Sequence, residues 1–263
     1  MAKLQFKKSP LSTSESPSLY DHITSYNNFY EFAPGAGDGP RNNSKNFKPK
    51  PWKIKIDGLV NKPGDYDIDE FIKPYALEER VYRFRCVEAW SFVIPWIGIP
   101  MADVIKRVKP TAKAKYIEMT TLLDTGRFPM QRTDLLQWPY LEGLRLDEAQ
   151  NPLALLAVGL YGEALPAQNG APIRLVVPWK YGLKGVKRIS YERALAAGTT
   201  GRYDFLGRYV DDLPAALDLD AARVAGLRVG ADPHGGACGA DWGQSPSRHG
   251  LDLSAVTDNV DPA

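Results

Sequence analysis

The chain has 263 residues, 44% of them hydrophobic and 24% charged, with a formal net charge of +2. That is long enough to bury a real core in one large or two small domains, and it excludes wholesale disorder and a collagen-like fold. The near-neutral balance argues against a nucleic-acid binder working through a strong global field, and the longest apolar run, 153–162, reaches about half of the ~20 residues a membrane span needs.

Residues 1–50 are rich in Ser, Pro, Asn and Gly and read as an extended arm. Within the arm, SYNNFYEF (25–32) is too dense in aromatics and amides for a solvated linker, so it is expected to pack on the body. From Trp52 the pattern becomes α+β. Residues 53–58 alternate with period two and predict a strand. Asp67 or Asp69 caps a short helix through Phe71 and Ile72. ERVYRFRC (79–86) alternates as a second strand, and the following WSFVIPWIGIP is read as an apolar loop able to wall a dry pocket. A short helix over 101–108, closed by Pro110, precedes a strand at 115–121. The apolar runs 152–161 and 173–177 predict buried strands. Beyond these, 218–224 is expected to be helical, 227–231 a strand, and the end of the chain frayed. Strands interspersed with short helices predict an α+β fold rather than a doubly wound sheet.

The composition breaks near residue 188. All 17 lysines precede it, whereas the last 76 residues hold 13 of the 27 alanines and no lysine. The break divides the chain into an arm (1–50), a body (51–187) and a tail (188–263). The tail is either an Ala-rich helical subdomain or a junction with unrelated sequence.

Two cysteines, Cys86 and Cys238, and three dispersed histidines, His22, His234 and His249, exclude a disulfide framework and a conventional zinc site. No apolar leader opens the chain. Two features carry chemistry. Cys86 follows Arg83 and Arg85, whose charge favours thiolate, and thiolate suits a soft metal or a nucleophilic role; a buried structural cysteine is the alternative. The string QNGAPIR (168–174) followed by PWKYGLKGVK (178–187) combines amides, one arginine, three lysines and glycines. This suits a phosphate on a polar heterocycle, or else a basic surface turn.

YNNFYEF, RFRCVEAWSFVIPWIGIP, EGLRLDEAQNPL and LPAQNGAPIRLVVPWKYGLKGVK, in this order over residues 20–187, resemble the sulfite oxidase-like molybdopterin family, in its protein-methionine-sulfoxide reductase branch. The resemblance implies Mo-molybdopterin as cofactor, with Cys86 as metal ligand and catalytic residue. It implies cofactor contacts from Asn27, Tyr30, Glu31, Thr121, Asn169, Arg174, Gly185, Val186 and Lys187. It implies reduction of methionine sulfoxide in proteins, a haem-containing, quinol-oxidising membrane subunit as electron donor, and periplasmic export by a twin-arginine signal that this chain lacks. A reductase of small S- or N-oxides is the alternative activity. From about Tyr191 the tail resembles an internal piece of an alpha-D-phosphohexomutase without its phosphoserine or metal loops, so a non-catalytic truncated or chimeric product is a further alternative.

Overall fold

A computed structural model describes residues 2–25, 30–33, 38–86, 90–134, 136–195, 228–231 and 252–255. In the arm lie β1 (Lys7–Lys8), α1 (Tyr20–Ser25) and α2 (Asp38–Asn43). The body follows with β2 (Lys53–Gly58), β3 (Gly64–Asp67), α3 (Ile68–Ile72), β4 (Glu78–Arg85), β5 (Ser91–Pro100) and α4 (Met101–Val108). It continues through β6 (Tyr116–Thr121), β7 (Leu141–Arg145), α5 (Leu146–Ala149), β8 (Leu155–Leu160), β9 (Glu163–Ala164), β10 (Arg174–Val176) and β11 (Ile189–Leu195). The chain divides into two units, 1–199 and 200–263. In the second, β12 (Arg228–Ala231) and β13 (Asp252–Ala255) form a parallel pair. The expected strand at 227–231 is therefore present, whereas the expected helix at 218–224 lies outside the described residues.

Two sheets build the first unit. One runs β1-β4-β5-β8-β10, with β9 also paired to β8, and the other runs β3-β2-β11-β6-β7. Ile54, Ile56, Met119 and Ile189 from the second sheet share one core with Ile99, Leu156, Val158 and Leu175 from the first. The opposite face of the first sheet buries Phe84, Ile94, Trp96, Leu155, Ala157 and Val176 in another cluster, to which the arm adds Ile23. β8 is thus buried on both faces. That is why LLAVGL reads as an unbroken apolar run instead of alternating.

Local chemistry sets the other elements. Asp67 caps α3 by accepting the Asp69 N–H at 3.0 Å. On α4, Met101, Val104, Ile105 and Val108 form one buried stripe, and Lys109 ends the helix in the left-handed conformation (φ 52°). The run read as a loop after Cys86 is instead a ten-residue strand, β5. Pro95 fits there because Val81, opposite it, donates its N–H to Ser12 Oγ, while the Pro95 carbonyl accepts the N–H of Tyr161. The arm contains two short helices as well as extended chain, and it is strapped to the first sheet through Ser9, Thr13 and Ser18 N–H groups donating to Glu79, Val81 and Val93 carbonyls. Phe32 packs edge-on against Phe47 and Phe128. Among the described residues no helix is long and apolar enough to cross a membrane.

The second sheet continues beyond the compositional break, for β11 lies between β2 and β6. Glu192 on β11 stands opposite Ile56 and Met119, and its Oε1 is buried without a partner. Loss of hydration pushes its carboxyl up to about 7. A raised carboxyl pKa means the native state holds a proton that the unfolded chain has lost. Stability therefore falls as pH rises from about 4.5 to about 7 and is level above that. Glu192→Gln should remove this slope and stabilise the protein at pH 8 by about 3 kcal/mol, measured by urea unfolding across pH.

At Gly98 the backbones of β5 and β8 approach so closely that a Cβ would strike the Leu156 carbonyl oxygen and lie 2.8 Å from Ala157 Cα. Gly98→Ala should cost about 1–3 kcal/mol. Gly126→Ala, which meets only the Asp124 carboxylate at 3.3 Å, should stay within about 0.5 kcal/mol in the same urea titration.

Candidate functional site

The site is built on a hairpin. After β10 the chain turns through Gly182–Lys184 and returns antiparallel, with Leu175 N–H donating to Val186 O and Arg188 N–H to Ile173 O, both at 2.9 Å. Arg174 and Lys187 face each other across this pairing. A Cβ at Gly185 would lie 2.9 Å from Arg174 Nη2 and 2.7 Å from Leu175 O, so glycine is what lets the guanidinium lie against the returning strand.

Arg174 donates to the carbonyls of Asn169 (3.1 Å) and Gly185 (3.2 Å) and lies 4.9 Å above the Trp96 ring and 5.4 Å from that of Phe84. Lys187 Nζ donates to Gln168 O at 3.0 Å. Arg188 pairs with the Glu31 carboxylate and donates to Ala167 O. All three cations are 1% exposed. Loss of hydration lowers each of them. Arg174 falls to about 9, and Lys187 drops well below its ordinary value. In each case the Glu31 charge opposes the fall; for Arg174 and Lys187 the Cys86 sulfur opposes it as well.

Cys86 is buried immediately after β4, its N–H donating to Trp90 O at 3.0 Å. Strand alternation puts it on the face of Phe84, whereas Arg83 and Arg85 are exposed and Arg83 pairs with Glu15. The two arginines expected to act on the thiol thus point to solvent, and the cations that reach it electrostatically are Arg174 and Lys187. A cleft enclosing about 250 Å³, its open mouth included, is lined by Ile23, Phe84, Trp90, Phe92, Ile94, Trp96, Asn169 and Arg174. Trp96 Nε1 and Asn169 Oδ1 are buried in its walls without a partner. Asn169 Nδ2 is committed to Ile23 O at 2.9 Å.

Of the other expected residues, Glu31 joins the cations directly, and Tyr30 precedes it half-buried. Thr121 lies at the end of β6, where Leu122 N–H donates to Arg188 O, and its hydroxyl accepts the Tyr140 N–H. The N–H groups of Gly185 and Val186 are bonded within the turn, to Gly182 O and Lys184 O, and the Val186 side chain belongs to the core. Asn27 lies outside the described residues. His22 is exposed on α1. Among the described residues no group of three or more His, Cys, Asp or Glu side chains is placed to hold a metal ion, and Cys86 is a free, buried cysteine. The apolar run expected to wall a pocket does so through Trp90, Phe92, Ile94 and Trp96; sequence reasoning missed Arg188, which stands just beyond the compositional break. The basic run that ends in Lys187-Arg188 was the available signal for it.

The sequence model of the family described as "Oxidoreductase molybdopterin binding domain" matches residues 41–197. The protein-methionine-sulfoxide reductase catalytic subunit of Pseudomonas syringae pv. tomato is 60% identical over 177 residues, covering 66% of this chain and 52% of that protein. The chain thus spans about half the length of this curated relative. The crystal structure of sulfane dehydrogenase SoxCD from Paracoccus pantotrophus superposes with a TM-score of 0.50 at 16% identity, over 64% of this chain and 43% of that one, a likeness of fold.

Burial without a bound anion makes Lys187 a liability to the fold. In protein carrying no bound anion, Lys187→Met should be more stable than wild type at pH 7. A depressed ammonium pKa destabilises the native state most at pH below that pKa. The advantage of methionine should therefore shrink as pH rises toward the ordinary lysine range, as read from denaturant midpoints at several pH values.

Proposed function

The chain belongs to the oxidoreductase molybdopterin-binding domain family, and from that premise we propose that it is a molybdopterin-dependent oxidoreductase that reduces methionine sulfoxide in proteins. The observation that carries the reading is the excess of buried positive charge beside Cys86: Arg174, Lys187 and Arg188 against the Glu31 carboxylate. A phosphate-bearing, sulfur-rich anion fits this donor set. The orphaned Asn169 Oδ1 and Glu31 Oε2 fit the N–H edge of a heterocycle.

In this reading the Cys86 thiolate holds the molybdenum, for which sulfur is a well-matched donor. Arg174 and Lys187 take the phosphate. Asn27, Tyr30, Glu31, Thr121 and Asn169 hold the heterocycle with the turn at Gly185 and Val186, whose N–H and carbonyl groups are bonded to Gly182, Lys184, Arg174 and Leu175, so that the turn serves as a fixed wall. When bound, the group supplies the two-electron oxygen-atom acceptor that a sulfoxide needs to return to a thioether. Trp90, Phe92 and Trp96 line the cleft with Arg174 and keep water from its walls, which strengthens the pull of that cation on any anion held there. The relative in Pseudomonas syringae is described as a catalytic subunit, which supports a separate electron donor for this chain, read here as a haem-bearing, quinol-oxidising membrane subunit, and a role in periplasmic protein repair.

Protein matured in a host that makes molybdopterin should contain molybdenum and pterin and should reduce peptide methionine sulfoxide. Turnover of small S- or N-oxides alone would reassign the substrate class, and well-folded protein without either component would identify the chain as a non-catalytic product. Cys86→Ser should leave circular dichroism and most of the stability in place, at a cost of about 1–3 kcal/mol, while abolishing molybdenum content and turnover. Cys238→Ser, in the second unit, should alter neither. Full turnover by Cys86→Ser refutes the ligand assignment.

A further inference from the structure

Arg188 adjoins the expected cofactor residues without being one of them, and its surroundings are unusually specific. Consecutive residues of an extended strand face opposite ways, yet Lys187 and Arg188 are both 1% exposed. Arg188 takes the left-handed conformation (φ 55°), a strained choice for a long side chain. Its guanidinium sits among three phenylalanine rings, 4.7 Å from Phe32, 5.1 Å from Phe128 and 5.5 Å from Phe47, with one edge on the Glu31 carboxylate. Glu31 and Phe32 belong to the arm, whereas Arg188 lies at the far side of the compositional break, immediately before β11. Only one carboxylate oxygen of Glu31 is used; Oε2 is buried without a partner.

We infer that Arg188 is a positioning residue that fixes Glu31 by one oxygen and so presents the other to the N–H edge of the bound heterocycle. The inference rests on the molybdopterin reading above. It treats the buried ion pair as a clamp on the arm rather than as a source of net stability, since buried pairs contribute little to the latter. The cage of rings holds the guanidinium with Nη1 on Glu31 Oε1 and Nη2 on the Ala167 carbonyl. A lysine at this position would keep the charge but lose the planar fork that reaches Glu31 and Ala167 O at once.

The test measures how fast pterin leaves the loaded protein, by the fluorescence of released pterin, together with molybdenum content and the melting temperature of the emptied protein. Arg188→Met should release pterin at least tenfold faster than wild type, and Arg188→Lys should fall between the two. Glu31→Gln should resemble Arg188→Met, and the double variant should be no worse than either single one, because both changes remove the same contact. A clamp predicts that release rates follow this pattern whatever the order of melting temperatures. Release from Arg188→Met at the wild-type rate overturns the inference and leaves the molybdopterin reading standing. So do losses that add in the double variant, or that track melting temperature across wild type and the four variants. Wild type that holds no pterin overturns the molybdopterin reading and the inference with it.

Discussion

Arg174, Lys187 and Arg188 are removed from water in one small region, and the carboxylate that answers them is Glu31. Burying each charge costs several kcal/mol unless something replaces its hydration. Backbone carbonyls of Asn169, Gly185, Gln168 and Ala167 replace part of it, and the faces of Trp96, Phe84 and three phenylalanines replace more. What remains is a positive field beside the sulfur of Cys86. A fold that carries such a field is stabilised by the anion that fills it, so ligand retention and folding are linked in this region.

The sheets make that burial possible. β8 is covered on both faces, and β10 beside it sends Leu175 into one core and Val176 into the other. Arg174 therefore projects from a strand that cannot shift without disturbing both cores. The hairpin that brings Lys187 opposite Arg174 needs a close backbone approach at Gly185, and the arm closes the region by placing Ile23 over the cleft and Glu31 against Arg188. Three separate stretches of chain, the arm, the β4–β5 hairpin and the β10 hairpin, thus meet at one point. That is why no short sequence motif describes the site on its own.

Elements governed by local periodicity were legible in the sequence. β2, β4, β6 and α4 lie where their alternation or apolar stripe places them, and the Asp67 cap follows from side-chain chemistry alone. β5 was not, because Pro95 argues against a strand, and its tolerance depends on Ser12 and Tyr161, residues far away in sequence. The alternation of β4 does place Cys86 opposite in face to Arg83 and Arg85. Two buried cations that share the thiol's electrostatic surroundings, Arg174 and Lys187, lie some ninety to a hundred residues further on, and only the tertiary fold joins them. Glu31 could be placed near the body from its aromatic neighbours, but its partner Arg188 could not, since nothing local links the two.

The compositional break at residue 188 acquires a physical meaning from the two charged side chains that the following segment buries. Arg188 enters an aromatic cage and meets an opposite charge, so its burial is compensated. Glu192, on an inner strand of the second sheet, meets apolar neighbours on both adjoining strands and leaves an oxygen unpaired. The other strands of the two sheets bury their charge in pairs, as Arg80 does with Glu78 on β4, or around the site. Local choices that agree with the global fold mark a sequence fitted to its structure, and a lone carboxyl in a core position is the opposite sign. β11 lies between β2 and β6 and falls within residues 41–197, the stretch that matches the family. The site side of the segment is satisfied, and on its core side Ile189 and Ala194 are buried apolar groups while Glu192 leaves an oxygen unpaired. The cost of burying Glu192 therefore falls on the sheet behind the cations and leaves their own contacts in place.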